Sequence, residues 1–548
     1  MRTKSFLYIF IALMISVSFA QCGKEEESTS RQDYSNGDYY IGEFNEAGKR
    51  HGQGVYYWNN GNKYDGQWEN NYRNGQGTYT WVSGAKYVGN WENDYRNGQG
   101  KMTYDYGHIY EGTWKDGKRN GQGTHTSKDG STFTCEWKDD EPVDEKCYLL
   151  WHLKTWYFWK DEIGKIDAKD YASAEDLLAK KKYAQDNLSN IENKATGSNS
   201  LFFDGKELGY GFGMRRDMDN NLRVSYVHSN SPGGINGLKR GWKITHIDGG
   251  DVAAMSTIPS NTVDREGLTR SFTVEDENGA SKAIFLTSSI YNVQTVMHNN
   301  VIQHNRKAVG YLAIKSFISQ SPDALLSAAS SLANSGISEL ALDLRYCSGG
   351  SYSVLNDFVG IVAPGYLNSQ TYLKANYNSD YTDSDTAYII RKTGSLNLSR
   401  IFVITSNSTT NMPEHFINGL SPYMSIIKVG DKTGGNVYGQ SSWTFGEKRY
   451  SLVTYKLTNA QNESPVNGIS PDYYVADGVS TPWGDENEYC LNAILFYIDN
   501  GYFPTNMRSI PPLLKSSAGQ EAQIIEPASP AEALPILKET VNTVREKE

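Results

Sequence analysis

A repeat with a period of 23 residues occupies positions 39–140 of this 548-residue chain and constrains its fold more than any other feature. In most units a Tyr-x-Gly-x-Trp segment alternates its side chains as a strand does, and a later Gly-Gln-Gly step supplies the positive φ of a turn. The in-phase aromatic positions are Tyr40, Tyr64, Tyr87, Tyr110 and Phe133, followed by Phe44, Trp68, Trp91, Trp114 and Trp137. Each unit is therefore predicted to be a β-hairpin that buries its aromatic side chains only against its neighbours, in an all-β meander.

The sequence of the repeat resembles that of a known repeat family. Tyr64-Asp-Gly-Gln-Trp, followed by Arg73-Asn-Gly-Gln-Gly, is similar to the MORN repeat, and four units fit it. The resemblance implies attachment to membrane, lipid or protein. Because the aromatic residues are needed first for the core, the sequence favours a spacer or docking platform, and specific lipid or ligand binding stays open as the alternative.

The N-terminus carries an export pattern. Arg2 and Lys4 precede an apolar run over 6–20, which is typical of a secretory signal peptide and predicts one over residues 1–21. Cys22 opens an acidic stretch over 22–38 that resembles the lipidated cysteine and tether of surface lipoproteins in Bacteroidetes-type bacteria. We expect an exported protein that is lipidated at Cys22 and held at the outer membrane or cell surface, with a periplasmic or secreted protein as the alternative.

Composition excludes several classes of protein. A hydrophobic content of 38% argues against a disordered acidic chain despite the net charge of −10, and no basic stripe indicates nucleic-acid binding. The sequence shows neither a metal-ligand cluster nor a phosphate-binding loop, so we expect no metal and no cofactor. Outside the cytosol Cys135 and Cys147 can pair, whereas Cys347 and Cys490 are expected to be buried thiols.

After the repeats the pattern becomes helical. Residues 145–200 are predicted to form a small helical module, because a dense apolar stretch over 149–159 favours a packed helix. Ser173-Ala-Glu-Asp176 is a capping pattern that predicts the start of a second helix.

Residues 205–292 alternate short strands with turns. Gly209-Tyr-Gly-Phe-Gly213 and the segment from Ser231-Pro-Gly-Gly to Ile247-Asp-Gly249 resemble a PDZ domain. The resemblance implies that a polypeptide or protein C-terminus is added as a strand, with its carboxylate held by the amides of Gly211, Phe212 and Gly213. The alternative is a PDZ-like β domain that only positions its neighbours.

Strand and helix patterns alternate over 300–500, which predicts a largely parallel sheet with helices on its faces, followed by a C-terminal tail over 501–548. The motifs that carry a resemblance here are Gly310-Tyr-Leu-Ala-Ile-Lys-Ser-Phe317, Leu342-Asp-Leu-Arg-Tyr-Cys-Ser-Gly-Gly350, Asn418-Gly-Leu420 and Gly468-Ile-Ser-Pro-Asp472. Together with the order of the domains they resemble the C-terminal processing (tail-specific) serine peptidase family over about 147–500. The resemblance implies an α/β peptidase-like core with a Ser–Lys dyad.

Both positions of that dyad hold asparagine. With Glu414 and Asn418-Gly-Leu420 as anchors, the family serine falls on Asn411 and the family lysine on Asn436, and the interval of 25 residues needs no gap. A carboxamide is neither a nucleophile nor a base at physiological pH. Asn-x-x-Glu also explains Asn411 as a helix cap, and Asn436 follows two glycines as a turn residue does. The catalytic pair is therefore predicted to be lost.

Other residues near the site are candidate replacements. Gly349 and Gly350 remain from the turn that supplies oxyanion amides in the family, and Asp343 and Arg345 are expected to support the sheet edge. The fallback nucleophiles and bases are Ser406, Ser408, Cys347, Lys428 and Lys432.

These observations favour a surface-attached pseudopeptidase that binds polypeptide or acts as a scaffold. The alternative is an active serine-type endopeptidase that hydrolyses peptide bonds with a relocated nucleophile. Whether the chain is an enzyme stays open, and the loss of both dyad residues favours a non-enzyme.

Overall fold

The structure, a computed structural model, describes residues 30–194, 204–261 and 263–504. The predicted signal peptide, Cys22 and most of the predicted tail lie outside these residues. The chain divides into two compact units, one containing residues up to 128 with 134–141, the other containing 129–133 with the residues from 142 onward. The fold class is the one that the sequence predicts: a repeat meander, helical segments, antiparallel sheets and a mixed α/β core.

The repeat region forms an 11-stranded antiparallel sheet in which the strands follow chain order. Its strands are β1 Ser30–Asp33, β2 Tyr39–Phe44, β3 Arg50–Tyr57, β4 Lys63–Glu69, β5 Tyr72–Thr80, β6 Lys86–Glu92, β7 Tyr95–Thr103, β8 Ile109–Lys115, β9 Lys118–Thr126, β10 Thr132–Lys138 and β11 Glu141–Pro142. Strand β1 lies within the stretch predicted as an acidic tether, so the sheet begins before the repeat does.

The periodic aromatic residues pack between neighbouring repeats, as predicted. Tyr64 is fully buried, and its ring lies edge-on to both Trp68 and Trp91, with centroids 5.2 and 5.3 Å away. Glycine is required beneath it, because a Cβ at Gly77 would lie 2.2 Å from the Tyr64 hydroxyl oxygen. The same geometry recurs one repeat further at Tyr87, which explains why the period is so regular.

The rest of the chain contains helices and further sheets. The helices are α1 Glu145–Thr155, α2 Ala174–Lys181, α3 Pro232–Ile235, α4 Pro322–Asn334, α5 Tyr352–Val362, α6 Met412–Leu420 and α7 Tyr489–Asn500. The strands are β12 Asn190–Asn193, β13 Lys206–Gly209, β14 Phe212–Arg216, β15 Leu222–Val227, β16 Lys243–Ile247, β17 Gly250–Asp251, β18 Thr269–Glu275, β19 Ser281–Thr287, β20 Ser289–Asn292, β21 Val296–His304, β22 Lys307–Ile314, β23 Glu339–Asp343, β24 Thr371–Tyr377, β25 Thr386–Ile389, β26 Arg400–Thr405, β27 Ser425–Gly430, β28 Tyr438–Phe445, β29 Lys448–Asn459 and β30 Tyr473–Tyr474.

The helical module differs from its prediction in one respect. Helix α2 begins as predicted, with the Ser173 side chain accepting the N–H of Asp176 at 3.2 Å. Helix α1, however, ends at Thr155, so the aromatic residues over 156–159 are not helical. The Phe158 N–H donates instead to the Val453 carbonyl at 2.9 Å, because the chain turns there to follow strand β29.

The region predicted as PDZ-like is an antiparallel sheet in the order β14-β15-β16-β18-β19, with β17 paired to β16. Strand β14 lies at one edge and pairs only with β15 among the described strands. Strands β13 and β20 pair where the region begins and ends. Between β17 and β18 the described residues form a short 3₁₀ turn, Val252–Ala254, and irregular chain, with no α-helix within 252–261 or 263–268.

The α/β core has a six-stranded sheet in the order β21-β22-β23-β26-β27-β30, parallel except for β21. Side chains alternate between its faces, with Leu312 and Leu342 packing in the core that includes α4, α5 and α6. Tyr311 and Phe402 point to the opposite face, which α7 covers. Every parallel strand therefore ends at the same edge, where the loops after β23, β26 and β27 meet.

Residues 129–133 belong to the larger unit, and they explain where a stable fragment should start. The ammonium of Lys154 is 2% exposed and binds the Asp129 carboxylate at 3.3 Å and the Ser131 hydroxyl at 3.1 Å. Burial lowers the pKa of Lys154, and Asp129 opposes that shift. Loss of Asp129 would leave a buried cation with fewer partners.

A fragment over 129–504 is therefore expected to fold without the preceding repeats. Asp129→Ala in this fragment should reduce its free energy of unfolding by roughly 3 kcal/mol, because the Lys154 charge stays buried. Urea unfolding measures whether the fragment folds and how much stability Asp129→Ala removes. Glu136→Ala, which removes an exposed carboxylate, is the matched control. An aggregated fragment would refute independent folding, and equal stability of the two Asp→Ala and Glu→Ala variants would refute the role of Asp129.

Candidate functional site

Asn411 occupies the sharp turn between strand β26 and helix α6. Its backbone has φ +65° and ψ −110°, a conformation that residues other than glycine rarely adopt. The residue is fully buried. Its side-chain Nδ2 donates to the Tyr438 carbonyl at 3.2 Å, and its Oδ1 has no hydrogen-bond partner among the described residues. The turn therefore has the strained strand-to-helix geometry that presents a nucleophile, with a carboxamide in its place.

Asn436 lies in the loop between strands β27 and β28. Its side-chain Oδ1 accepts the N–H of Tyr438 at 3.2 Å, which is the local turn that asparagine favours. Its own N–H donates to Oε2 of Glu414 at 2.9 Å, and the N–H of Asn411 donates to the same oxygen at 2.9 Å. The structure thus brings the two predicted dyad positions together, with backbone nitrogens no more than twice that distance apart.

Glu414 is the residue that joins them. Its carboxylate is fully buried and accepts four hydrogen bonds: two from the N–H groups of Asn411 and Asn436, one from the Gly435 N–H at 2.7 Å and one from the Thr433 hydroxyl at 2.5 Å. Burial raises the pKa of Glu414 to about 7, against the opposing effect of these donors. The sequence indicates this residue only as the second half of a helix cap, because its other partners lie about 20 residues away.

The hydrogen bonds of these three residues are made to the surrounding chain. Glu414 accepts all four of its hydrogen bonds from the surrounding chain, so its carboxyl group serves to hold neighbouring segments together. The two asparagine side chains bind the backbone of Tyr438, one as a donor and one as an acceptor. None of the three supplies a nucleophile paired with a base.

The glycine turn after strand β23 is not open either. The Gly349 N–H donates to the Thr410 carbonyl at 3.3 Å, and Ser348 and Thr410 pair as a parallel bridge. A Cβ at Gly350 would lie 2.6 Å from the Phe317 carbonyl oxygen, so glycine is needed there for close backbone packing. The amide of Gly349 is therefore committed to the neighbouring loop and unavailable to a developing oxyanion.

Ser406 and Ser408, the fallback nucleophiles, lie in the same loop after β26. The Ser406 hydroxyl donates to the Arg345 carbonyl and accepts the N–H of Ser408 at 3.2 Å. Thr409 adds a parallel link from its hydroxyl to the Leu344 carbonyl at 2.7 Å. Ser406 thus links the loop after β26 to the loop after β23. Ser408 is 8% exposed and has no lysine or histidine among the partners that the structure records for it.

The other candidates are no better placed. Cys347 is fully buried in the core, and burial raises the pKa of its thiol, with Lys315 only partly opposing. Lys432 is exposed on the loop after β27, and Lys428 forms an ion pair with Asp472 at 2.9 Å. Neither lysine is a buried amine of the kind that accepts a hydroxyl proton.

Beside the site lies a buried ionic cluster centred on Arg345. Its guanidinium is 1% exposed and binds Asp343 at 2.6 Å, Glu488 at 2.7 Å and Asp477 at 2.8 Å. The Tyr346 hydroxyl donates to Asp477 as well. The role expected for Asp343 and Arg345, support of the sheet edge, agrees with these contacts.

Asp477 extends the cluster to the PDZ-like sheet. Arg215 of β14 lies 3.3 Å from its carboxylate, and Arg240 lies 3.4 Å away. Burial alone would raise the pKa of Asp477, but the three guanidinium groups of Arg345, Arg215 and Arg240 outweigh it and lower the pKa to about 2. A charged carboxylate here therefore holds together segments that are far apart in sequence.

The predicted peptide loop is also occupied at one point. Gly211 has φ +79°, and a Cβ there would lie 1.9 Å from the Cβ of Ser231, so glycine is required. The carbonyl of Phe212, the first residue of edge strand β14, accepts the side-chain N–H of Asn261 at 3.0 Å. Asn261 is 8% exposed and lies in the irregular segment after β17. Sequence patterns did not indicate this contact.

Residues 30–194, 204–261 and 263–504 contain neither a membrane-spanning helix nor a cluster of potential metal ligands. No helix there combines the length and apolar character needed to cross a membrane. No group of three or more His, Cys, Asp or Glu side chains there could hold a metal ion. Among the cysteines, Cys135 and Cys147 are each disulfide-bonded, and Cys347 and Cys490 are buried free thiols.

The pKa of Glu414 gives a test of this geometry. Because the folded protein binds a proton there more tightly than the unfolded chain, the stability attributable to Glu414 is greatest below its ordinary pKa of 4.5 and falls as pH rises to 7. Relative to Glu414→Gln, the wild type should lose roughly 2–3 kcal/mol of unfolding free energy across that range. Urea unfolding at several pH values measures the difference, and the carboxyl ¹³C shift of Glu414 reports its pKa directly. A pH-independent difference together with an unshifted carboxyl would overturn the assignment.

Known proteins match the same regions. The matches are Peptidase family S41 at residues 308–475, the Peptidase S41 N-terminal domain at 146–197, and the MORN repeat at 40–63, 64–86, 87–107 and 110–132. A curated relative from Arabidopsis thaliana, the chloroplastic carboxyl-terminal-processing peptidase 1, is 23% identical over 281 residues. That alignment covers 48% of this chain and 55% of the relative, so the chain spans about half the length of the protein it matches.

Two solved structures are similar to parts of this chain, and the first supports the fold. A crystal structure from Bacteroides fragilis NCTC 9343, described as an S41 protease, aligns with a TM-score of 0.52 at 24% identity, covering 67% of this chain and 99% of that one. The photosystem II D1 C-terminal processing protease aligns with a TM-score of 0.41 at 14% identity, covering 60% of this chain and 92% of that one. By these matches the chain contains MORN repeats, a Peptidase S41 N-terminal domain and a Peptidase family S41 region, in that order along the sequence.

Proposed function

We propose that this protein binds polypeptide without cleaving it, as an exported pseudopeptidase of the S41 family. One observation carries the proposal: asparagine occupies both dyad positions, and Glu414 holds the backbone of both in place. The frame of the site is present and its reactive groups are not. Removing one member of a catalytic unit lowers the rate by orders of magnitude, and here both members are replaced.

The surroundings of the site support the same proposal. The glycine turn directs the Gly349 amide to Thr410, and Ser406 and Thr409 fasten the loop after β26 to the loop after β23. These contacts occupy the groups that an acyl-transfer reaction needs free, namely oxyanion donors and an activated hydroxyl.

Polypeptide binding is assigned to the PDZ-like sheet. Strand β14 is an edge strand, and an edge strand can accept a peptide as a further strand. The side chain of Asn261 donates to the Phe212 carbonyl, which is the group that an added strand would use first. Asn261 therefore imitates part of a bound peptide, and an incoming polypeptide has to displace it.

The expected setting of this activity is the cell envelope. The apolar run over 6–20 and Cys22 support export and a lipid anchor, and the MORN repeats support attachment to another surface. The rival function is peptide-bond hydrolysis with a relocated nucleophile, for which Ser408 is the most exposed of the candidate hydroxyls and thiols.

The wild-type protein is expected neither to cleave unfolded protein substrates nor to react with a serine-directed fluorophosphonate. Asn411→Ser combined with Asn436→Lys should give measurable labelling, because the strained turn and the Glu414 bridge are already in place. Either change alone should not label, since the serine would lack a base or the lysine a nucleophile. Labelling is measured by mass spectrometry of the modified peptide.

The same assay tests the rival function. Turnover by the purified wild type that survives Asn411→Ala and disappears in Ser408→Ala, Ser406→Ala or Cys347→Ala would establish an enzyme. Asn418→Ala serves as a matched control on the same helix. A double variant that is not labelled does not support the rival function, because the rival requires turnover by the wild-type protein.

Peptide binding has a separate test. A randomised decapeptide library with free C-terminal carboxylates should be retained more strongly than the same library amidated, because the charge-assisted contacts to loop amides are lost on amidation. Asn261→Ala should strengthen retention about fivefold, since one competing hydrogen bond of about 1 kcal/mol is removed. Asn292→Ala, an exposed asparagine of the same region, is the control. Equal retention of acid and amide libraries would mean that the PDZ-like sheet only positions its neighbours.

A further inference from the structure

The tips of two neighbouring hairpins in the repeat sheet enclose an open cavity of about 680 Å³, within the usual range for small-ligand sites. One tip joins β4 to β5 and the other joins β6 to β7. Both turns use residues with positive φ, Asn70 at +52° and Asn93 at +49°, as tight two-residue hairpins do. The cavity is therefore built from rigid turns rather than from long loops.

Each tip presents a carboxylate opposite a tyrosine. Glu69 pairs with Tyr72 across the first hairpin, and Glu92 pairs with Tyr95 across the second. The tyrosine side chains are 51% and 59% exposed, whereas the in-phase tyrosines Tyr40, Tyr64, Tyr87 and Tyr110 are fully buried. Tyr72 lines the cavity, and Tyr95 stands one repeat further along the same edge.

The hairpin fold does not require these residues. The next tip, between β8 and β9, has the same two-residue turn, and there Lys115 pairs with Lys118. A glutamate and a tyrosine are thus replaced by two lysines without change in the hairpin. The Glu–Tyr pairs are explained by what they present to solvent, not by packing.

The lining defines the chemistry of a ligand. Five asparagines line the cavity, its only charged side chains are Glu69 and Glu92, and no lysine or arginine takes part. Anionic groups such as lipid phosphates need cationic partners, so this lining disfavours them. Side-chain amides both donate and accept, which suits hydroxyl groups, whereas a cation offers only donors to them.

The polar groups are also ordered in advance. The Asn74 amide donates to Glu69 at 2.9 Å, and the Asn97 amide donates to Glu92 at 2.6 Å. The same contact is therefore repeated from one hairpin to the next. Equivalent positions lie two strands apart, or about 9.5 Å, which is about the length of two sugar units in an extended chain.

We propose that this edge of the repeat sheet binds a neutral oligosaccharide, which stacks on Tyr72 and Tyr95 and hydrogen-bonds to the asparagine and glutamate side chains between them. An exposed, rigid aromatic ring covers the apolar face of a sugar, while neighbouring amides and carboxylates satisfy its hydroxyl groups. The ligand extends along the hairpin tips, so its length decides how many tyrosines it contacts.

Isothermal titration of the purified protein with cellohexaose, chitohexaose, xylohexaose and maltohexaose tests this. At least one is expected to bind, and Tyr72→Ala should weaken it about tenfold, through loss of the stacking contact. Tyr95→Ala should weaken the hexasaccharide but not the corresponding disaccharide, because only the longer ligand reaches the second ring. Tyr366→Ala, an equally exposed tyrosine outside the repeats, should leave the affinity unchanged.

A second pair of measurements separates sugar from cationic peptide. Asn74→Asp with Asn97→Asp removes two amide donors and adds two negative charges, so it should weaken the hexasaccharide and strengthen hexalysine. The proposal is overturned if no hexasaccharide binds at concentrations up to about 5 mM. It is equally overturned if wild-type protein binds hexalysine, or vesicles containing phosphoinositides, in a Tyr72-dependent way and more tightly than any of the sugars.

Discussion

Four hydrogen-bond donors converge on the buried carboxylate of Glu414, and the candidate site depends on this interaction. Three of the donors are backbone N–H groups, from Asn411, Gly435 and Asn436. A carboxylate that holds backbone atoms does not specify the side chains of the residues it holds. The start of α6 and the loop after β27 are therefore joined at Glu414 by contacts that do not involve the side chains of Asn411 and Asn436.

The cluster around Arg345 follows the opposite rule, because it depends on side chains. Arg345 and the carboxylates of Asp343, Asp477 and Glu488 are buried together, and the loss of Arg345 would remove the cation that they share, at a cost of about 3–5 kcal/mol. Substitution there is limited by the fold itself. Asp343 and Arg345 of the Asp-Leu-Arg segment are accordingly fixed by side-chain contacts, whereas Asn411 and Asn436 are held at Glu414 through their backbone N–H groups.

The sequence predicts those features that depend on neighbours in the chain. The aromatic period of the repeats and the Ser173 cap are local patterns, and the structure confirms them. Contacts between distant segments could not be predicted: Asn261 with Phe212, and Gly349 with Thr410. No periodicity or spacing encodes a hydrogen bond between loops that tertiary packing alone brings together. The bond from the Phe158 N–H to the Val453 carbonyl, just after the end of α1 at Thr155, is a contact of the same kind.

The side chains of the two asparagines, Asn411 and Asn436, also bind the chain around them. The carboxamide donates to the Tyr438 carbonyl, and Tyr438 in turn donates to the side chain of Asn436. A serine and a lysine could not make this pair of contacts, because serine is too short to reach as far and lysine has no acceptor. The two asparagines thus close a link between the turn before α6 and the start of β28. The strained turn at Asn411 is therefore held on two sides, by its backbone N–H bonded to Glu414 and by its side chain bonded to Tyr438.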